Sequence, residues 1–173
     1  IQVFELPSYK QIAEWRHNTT PIPSQIRILK DICVYIKEEC QNDGQNIYWS
    51  VENNSIGEGA LIVIRDMGEE NIPGMCVSEP IRKGRVRKFR KGFNTTHSTK
   101  ISACTRLKNM IETDRLKVHS KILVSELKAF VASGSSYKAK PGETDDLVSA
   151  CLLSMRIMAC LLYTSPSPRD LST

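Results

Sequence analysis

The chain has 173 residues, enough for one domain with a real core. Its 40% hydrophobic and 25% charged residues are ordinary for a globular protein and argue against a disordered chain. The net charge is +5, but Arg82 to Lys91 alone holds seven cations and no acid, so the rest of the chain stands at −2; such a patch is either a solvated hairpin or a contact for a polyanion.

In chain order, Ile1 to Leu6 alternates like a strand, and Lys10 to Arg16 is a second one joined through Pro7-Ser8. Ser24 is placed as the N-cap of a helix from Gln25 to about Glu39, with Ile26, Leu29, Ile32, Cys33 and Ile36 at helical spacing. Gln41-Asn42-Asp43-Gly44 closes it. Ile47 to Val51 is a short β-rich run, predicted as a buried strand with Glu52 at its carboxyl end. After the turn Asn53 to Gly57, a helix is predicted from Glu58 to about Met67, with Gly68 as its stop. Met75 to Val77 is a candidate strand, and Gly84 and Gly92 are places where the basic segment could turn as a hairpin. Ser98 to Thr113 reads as a helix on Ile101, Cys104, Leu107, Met110 and Ile111. Leu116 to Val118 is a short strand, and Ser120 caps a helix carrying Leu123, Leu127, Phe130 and Val131, broken by Gly134-Ser135-Ser136. A last helix starts near Asp145 and runs through Leu147, Val148, Cys151, Leu152, Met155 and Met158. At about 17 residues, with Arg156 inside and two aspartates at its start, it is a core helix and not a membrane span. The alternation of strands and helices predicts an α/β layered fold. The Ser/Pro-rich tail, Thr164 to Thr173, is expected to be disordered or artefactual; from Cys160 onward it also resembles translated adapter read-through. No signal peptide is read before Ile1, and the chain is expected to be a piece of a longer protein.

The six cysteines form no CxxC, and His17, His97 and His119 stand at no zinc-like spacing from them. Free, largely buried thiols in a reducing compartment are expected. There is no GxxxxGK[ST], GxSxG or HExxH, and Gly57-Glu58-Gly59 lacks the third glycine of a dinucleotide fingerprint.

Two acidic sites are candidates for the chemistry. Glu52 follows a hydrophobic strand, at the sheet edge where α/β proteins place ligands; the plainer alternative is a solvated turn residue. Asp145 and Asp146 open a helix, where Thr144 can cap and where each acid gains roughly 0.3–1 kcal/mol from the dipole. Adjacent aspartates there also suit a hard cation. Phosphodiester hydrolysis by two metals needs several carboxylates converging on ions roughly 3.5–4 Å apart. A strand-end Glu with a helix-start Asp pair is a partial set of that kind.

These residues resemble a known family. Ile47-Tyr48-Trp49-Ser50-Val51-Glu52-Asn53-Asn54-Ser55-Ile56-Gly57 is similar to the strand-Glu-x-Asn-Ser-x-Gly segment in the nuclease (C-terminal) domain of T4-like tailed-phage large terminases. Gly92-Phe93-Asn94-Thr95-Thr96-His97-Ser98-Thr99-Lys100, followed by Leu107 to Glu112, resembles that family's Gly-x-x-Thr-(x)-Lys turn and next helix. Leu116 to His119, the helix with Glu126, Leu127 and Phe130, and Thr144-Asp145-Asp146-Leu147-Val148-Ser149 follow in the same order. Thr144 departs from the histidine that usually precedes the Asp pair.

Over residues 1–163 the resemblance implies an RNase H-like α/β nuclease domain, a mixed central sheet flanked by helices, with its N-terminal strand or strands missing. It makes Glu52 the second catalytic acid and metal ligand, and one of Asp145 and Asp146 the third, with Asp146 preferred. The cofactors implied are two Mg²⁺ or Mn²⁺ ions. The first catalytic Asp is expected upstream, since no Asp occurs before Asp31, as is the ATPase domain through which alone ATP would act; the 173-residue piece is expected to be inactive by itself. Arg85, Arg87, Lys88, Arg90, Lys91 and Lys100 are then DNA-backbone contacts, while Phe89 packs. The implied partners are double-stranded DNA, the ATPase domain, portal protein and small terminase subunit, with no membrane. The implied place is the infected bacterial cytoplasm, transiently at the procapsid portal, and not a secreted one. The alternatives are another RNase H-like nuclease, of the junction resolvase or transposase type, and a non-catalytic DNA-binding module.

Overall fold

The computed structural model describes residues 1–40, 44–54, 56–83 and 86–164, except for the side chains of 80–90 and 163–164. Contacts divide the chain into two compact units, Ile1–Thr19 with Thr95–Met155, and Thr20–Asn94 with Arg156–Thr173.

The first unit opens on the expected antiparallel pair β1 (Gln2–Glu5) and β2 (Lys10–Glu14). Beyond it, Lys10 bridges in parallel to Lys117, with Gln11 N–H donating to the Lys117 carbonyl at 2.8 Å. The strand expected at Leu116 to Val118 is thus a single bridge. Gln11 is buried but satisfied, because its Oε1 accepts from the N–H groups of His119 and Ser120 at 2.9 Å each. Helix α3 (His97–Glu112) is capped by Thr96 in a reciprocal box with Thr99, slightly earlier than the Ser98 start expected. Ser120 caps α4 (Lys121–Ala129) as the sequence predicts, accepting from Leu123 N–H at 2.9 Å.

Phe130 and Val131 do not extend α4; they open β7 (Phe130–Ser133), which pairs antiparallel with β8 (Ser136–Ala139) around Gly134-Ser135. Phe130 and Val131 stand at helical spacing from Leu127 and Leu123, yet both prefer strands, and a two-residue turn containing glycine favours a hairpin. Phe130 stacks with Tyr137 across that hairpin, ring centroids 6.1 Å apart.

Helix α5 (Asp146–Thr164) contributes Asp146–Met155 to this unit and its remaining residues to the other. Leu147, Val148, Cys151, Leu152 and Met155 recur at helical spacing and are all buried. Each such side chain contributes roughly 1.5–3 kcal/mol by leaving water. No helix among the described residues is long and apolar enough to cross a membrane.

The second unit begins with α1 (Ile22–Glu39), whose N-cap is Pro21 and not Ser24. Ser24 lies inside the first turn, its N–H donating to the Pro21 carbonyl at 3.0 Å. Pro23 explains the early start, since a first helical turn tolerates a residue without an N–H. Strand β3 (Tyr48–Trp49) pairs in parallel with β4 (Met75–Cys76). Helix α2 (Ile56–Met67) starts two residues before the Glu58 expected, and a 3-10 turn, Glu69–Asn71, follows Gly68. Ile26, Cys33, Ile47, Trp49, Ile64 and Ile72 form the buried cluster here, with Leu29, Ile36, Val51 and Leu61 against it. The basic segment is an antiparallel hairpin, β5 (Glu79–Lys83) with β6 (Val86–Arg90); Gly84, expected as a turn position, lies outside the described residues.

The mixed central sheet expected is present among the described residues only as four small two-stranded pairs, one parallel and three antiparallel. Helix-closing residues 41–43 and tail residues 165–173 lie outside the described residues.

No disulfide forms among the described residues; Cys33 and Cys151 are buried and Cys40 is exposed. Burial pushes the Cys151 thiol up to about 12 and that of Cys33 to about 11. Only the thiolate attacks disulfide reagents, and at pH 8 that form is depleted at both sites. Cys40 is expected to react with dithionitrobenzoate in the native protein, and Cys151 and Cys33 only after unfolding, as mapped by mass spectrometry. The unfolded thiols ionise near 9.0, so these buried groups favour folding fully below that pH. Their contribution is lost as the pH rises from there through about 11 and 12.

Candidate functional site

Glu52 sits in the second unit, three residues beyond β3, where its backbone makes a parallel bridge to Phe93. Phe93 N–H donates to the Val51 carbonyl at 3.0 Å, and Asn53 N–H to the Phe93 carbonyl at 2.7 Å. The carboxylate is half-buried, and its Oε1 accepts from Asn54 Nδ2 at 3.2 Å. Two glycines permit this packing. A Cβ on Gly57 would lie 1.5 Å from the Glu52 carbonyl oxygen, and one on Gly92 2.7 Å from that of Val51. Gly92 also has φ +68, a conformation that costs a side-chain-bearing residue strain.

Phe93 is itself held in place. It is 1% exposed, and the Arg156 guanidinium lies 4.9 Å from its ring centroid. Arg156 donates to Glu79 Oε1 at 2.7 Å and to the Asn94 carbonyl at 3.1 Å. Glu79 Oε2 accepts from Asn94 N–H at 3.2 Å. Glu79 is the first residue of β5, and its N–H donates to the Gly92 carbonyl at 3.1 Å. The base of the basic hairpin is therefore joined to the Glu52 segment, a link completed by Asn53 Nδ2 donating to the Lys91 carbonyl at 2.9 Å.

Of the cations expected to meet DNA, Arg87, Lys88 and Arg90 are positions of β6, and Arg85 lies outside the described residues. The Lys91 ammonium is exposed and paired with Glu69, whose hydrogen bond holds it above its usual range. Lys100, in the first unit, places its Nζ 5.5 Å from the Phe130 ring centroid.

The aspartate pair lies in the first unit, at the start of α5. Asp145 occupies the residue before the helix, and its carbonyl accepts from Ser149 N–H at 2.7 Å. Its side chain is half-buried, whereas that of Asp146 is 65% exposed, with Oδ2 at 3.7 Å from Arg16 Nε. The Thr144 cap expected from the sequence is not formed. The helix starts one residue later than that requires, and Thr144 Oγ1 is bonded instead to Arg16 and Glu126, at 2.9 and 3.2 Å.

Sequence reasoning missed Arg16 and Glu126. Glu126 is 5% exposed; one carboxylate oxygen pairs with Arg16 at 3.1 Å and the other accepts from the N–H groups of Leu147 and Val148, at 2.8 and 3.2 Å. A signal for Glu126 existed, an acid three residues after Leu123 on the apolar face of its helix. Nothing local marks Arg16.

Glu52, Asp145 and Asp146 offer only carboxylate oxygens, the donors that Mg²⁺ and Mn²⁺ prefer, so the donor chemistry fits a hard divalent cation. Among the described residues, no group of three or more His, Cys, Asp or Glu side chains could hold a metal ion. Glu52 stands in one unit and the aspartates in the other. Residues 5–157 match the family model described as the Terminase RNaseH-like domain. The chain, an α/β protein of RNase H-like fold, belongs to that family.

Proposed function

We propose that residues 1–163 are the metal-dependent endonuclease domain of a phage DNA-packaging motor, cutting concatemeric viral double-stranded DNA when packaging starts and ends. The family match carries this reading, since a terminase RNase H-like domain brings a nuclease role in packaging. The placement of Glu52 supports it: the residue follows a hydrophobic strand, and its backbone segment is joined to the base of the basic hairpin through Phe93 and Asn53.

In this reading Glu52, Asp146 and Asp145 hold two Mg²⁺ or Mn²⁺ ions. Bound there, the ions would activate water and stabilise the leaving oxygen at the scissile phosphate. Asn54 orients the Glu52 carboxylate by its hydrogen bond. Arg85, Arg87, Lys88 and Arg90 grip the backbone of the duplex without reading sequence. Lys91 and Lys100 join them on leaving Glu69 and the Phe130 ring. The partners are the ATPase domain that would supply ATP-driven translocation, the portal protein and the small terminase subunit. The place of action is the infected bacterial cytoplasm, transiently at the procapsid portal.

The direct test is supercoiled plasmid with the full-length terminase carrying this domain. Nicking and linearisation are expected with Mn²⁺ and none with EDTA; equal cutting in EDTA overturns the metal-dependent reading. A non-catalytic DNA-binding module would bind the plasmid and leave it intact. The hairpin has its own measurement. Replacing Arg87, Lys88 and Arg90 together by alanine should weaken duplex binding alike for all sequences. The slope of log K against log salt should become shallower by about 0.9 for each phosphate no longer neutralised, up to about 3 in all. An unchanged slope would remove the hairpin from the DNA interface.

A further inference from the structure

The first four N–H groups of a helix have no partner within it. At most helix starts a side chain at the N-cap supplies an acceptor, and here that residue is Asp145. The acceptor comes instead from α4. Glu126 Oε2 accepts from Leu147 N–H at 2.8 Å and Val148 N–H at 3.2 Å, while Oε1 accepts from Thr144 Oγ1 and pairs with Arg16. Among the described residues, the Asp145 carboxylate has no hydrogen-bond or ion-pair partner. Both oxygens of Glu126 are occupied and its side chain is 5% exposed, so it is not itself available as a ligand. Arg16 forks over this arrangement. One terminal nitrogen is on Glu126, the other on Thr144, and Nε stands 3.7 Å from Asp146.

We propose that Glu126 is a positioning residue for the Asp145-Asp146 pair. It takes over the capping of α5, so that the oxygens of both aspartates stay off the helix N–H groups. It also shares the Arg16 guanidinium, drawing at 3.1 Å on a charge that stands 3.7 Å from Asp146. The inference rests on the proposal that the pair binds metal. If Glu126 loses its charge, Arg16 keeps only Thr144 and its near neighbour Asp146, and its guanidinium then competes with the cation for that carboxylate.

The experiment titrates the full-length terminase carrying this domain with Mn²⁺ alone, read by calorimetry or water-proton relaxation, beside circular dichroism and amide exchange at Leu147 and Val148. Wild type is expected to bind, and Asp145→Asn with Asp146→Asn to lose that binding. Glu126→Gln keeps the size and one acceptor oxygen. It is expected to raise the Mn²⁺ Kd about 10–100-fold, the usual cost of removing a partner that orients metal ligands, with the helical spectrum intact. Adding Arg16→Gln should recover most of the loss, because it removes the competing charge; a purely structural role for Glu126 predicts further loss. A Glu126→Gln Kd within twofold of wild type, in a chain whose binding depends on the aspartates, overturns the positioning role and leaves the metal reading standing. Binding that is absent in wild type, or indifferent to the aspartates, overturns both. Should Glu126→Gln not fold, Arg16→Lys makes the same test: it keeps the charge but cannot fork, and a folded Arg16→Lys with wild-type affinity overturns the proposal.

Discussion

Glu52→Ala is expected to abolish Mn²⁺-dependent cleavage by the terminase while leaving the protein folded. The backbone bonds that place this residue, Asn53 N–H to the Phe93 carbonyl and Phe93 N–H to the Val51 carbonyl, do not involve its side chain. Nor does the bond from Gly57 N–H to the Asn54 carbonyl in the turn that follows. The carboxylate is half-buried, and alanine would remove its hydrogen bond from Asn54. Stability should therefore change by no more than about 1 kcal/mol, the ordinary net value of a hydrogen bond. A lost metal ligand is a different matter, because several kcal/mol of charge stabilisation in the transition state go with it. About 3–4 kcal/mol corresponds to a fall on the order of 10² to 10³-fold in rate. Glu52→Gln separates charge from shape: the amide keeps the size but loses the negative charge, and it should be nearly as inactive as alanine. The measurement is initial nicking rate at saturating Mn²⁺, with thermal melting as the control. Cutting retained at the wild-type rate by either folded variant would end the role proposed for Glu52.

What can be read in the sequence follows a physical division. Elements set by local signals are legible, such as the Ser120 cap, the spacing of Leu147 to Met155, and the basic hairpin. So is the position of Glu52 after its strand, because a hydrophobic run followed by an acid is a local pattern. Boundaries fail where two local signals compete. Ser24 is a good cap, but Pro23 suits a first turn and wins. Phe130 and Val131 fit a helical stripe and a strand equally well by periodicity, and the hairpin turn decides for the strand. The Thr144 cap fails for a longer-range reason. The acceptor for α5 comes from Glu126, and the cation balancing Glu126 is Arg16, 110 residues away by the numbering. No window of sequence short enough to show periodicity contains both. The resemblance supplies the family, which the family model matches over residues 5–157. It names the acids but not the side chains that orient them.

Gly57→Ala should damage both stability and cutting, although it replaces a poor helix former with the best. Gly57 is the second residue of α2, where alanine would ordinarily favour the helix by about 1 kcal/mol. Against this stands the collision of the new methyl with the Glu52 carbonyl, 1.5 Å from the oxygen and 2.7 Å from its carbon. The obstacle is backbone, which cannot swing aside as a side chain end can, so the helix start or the Glu52 strand must move. Forced packing of this kind costs typically about 1–3 kcal/mol, which exceeds the propensity gain over most of that range. For a chain of this size each kcal/mol lowers the melting temperature by about 2–4 °C, so a drop of several degrees is expected. The effect on cleavage should be larger than the effect on folding, because a shift near 1 Å at a reacting group costs on the order of 10²-fold. Gly59→Ala is the matched control on the same helix: its Cβ would meet only the flexible Ile22 Cδ1, at 3.1 Å, and should leave cutting unchanged. Melting curves and nicking rates for the two variants decide the matter. If Gly57→Ala melts and cuts as Gly59→Ala does, the close approach of Gly57 is not what holds Glu52 in place.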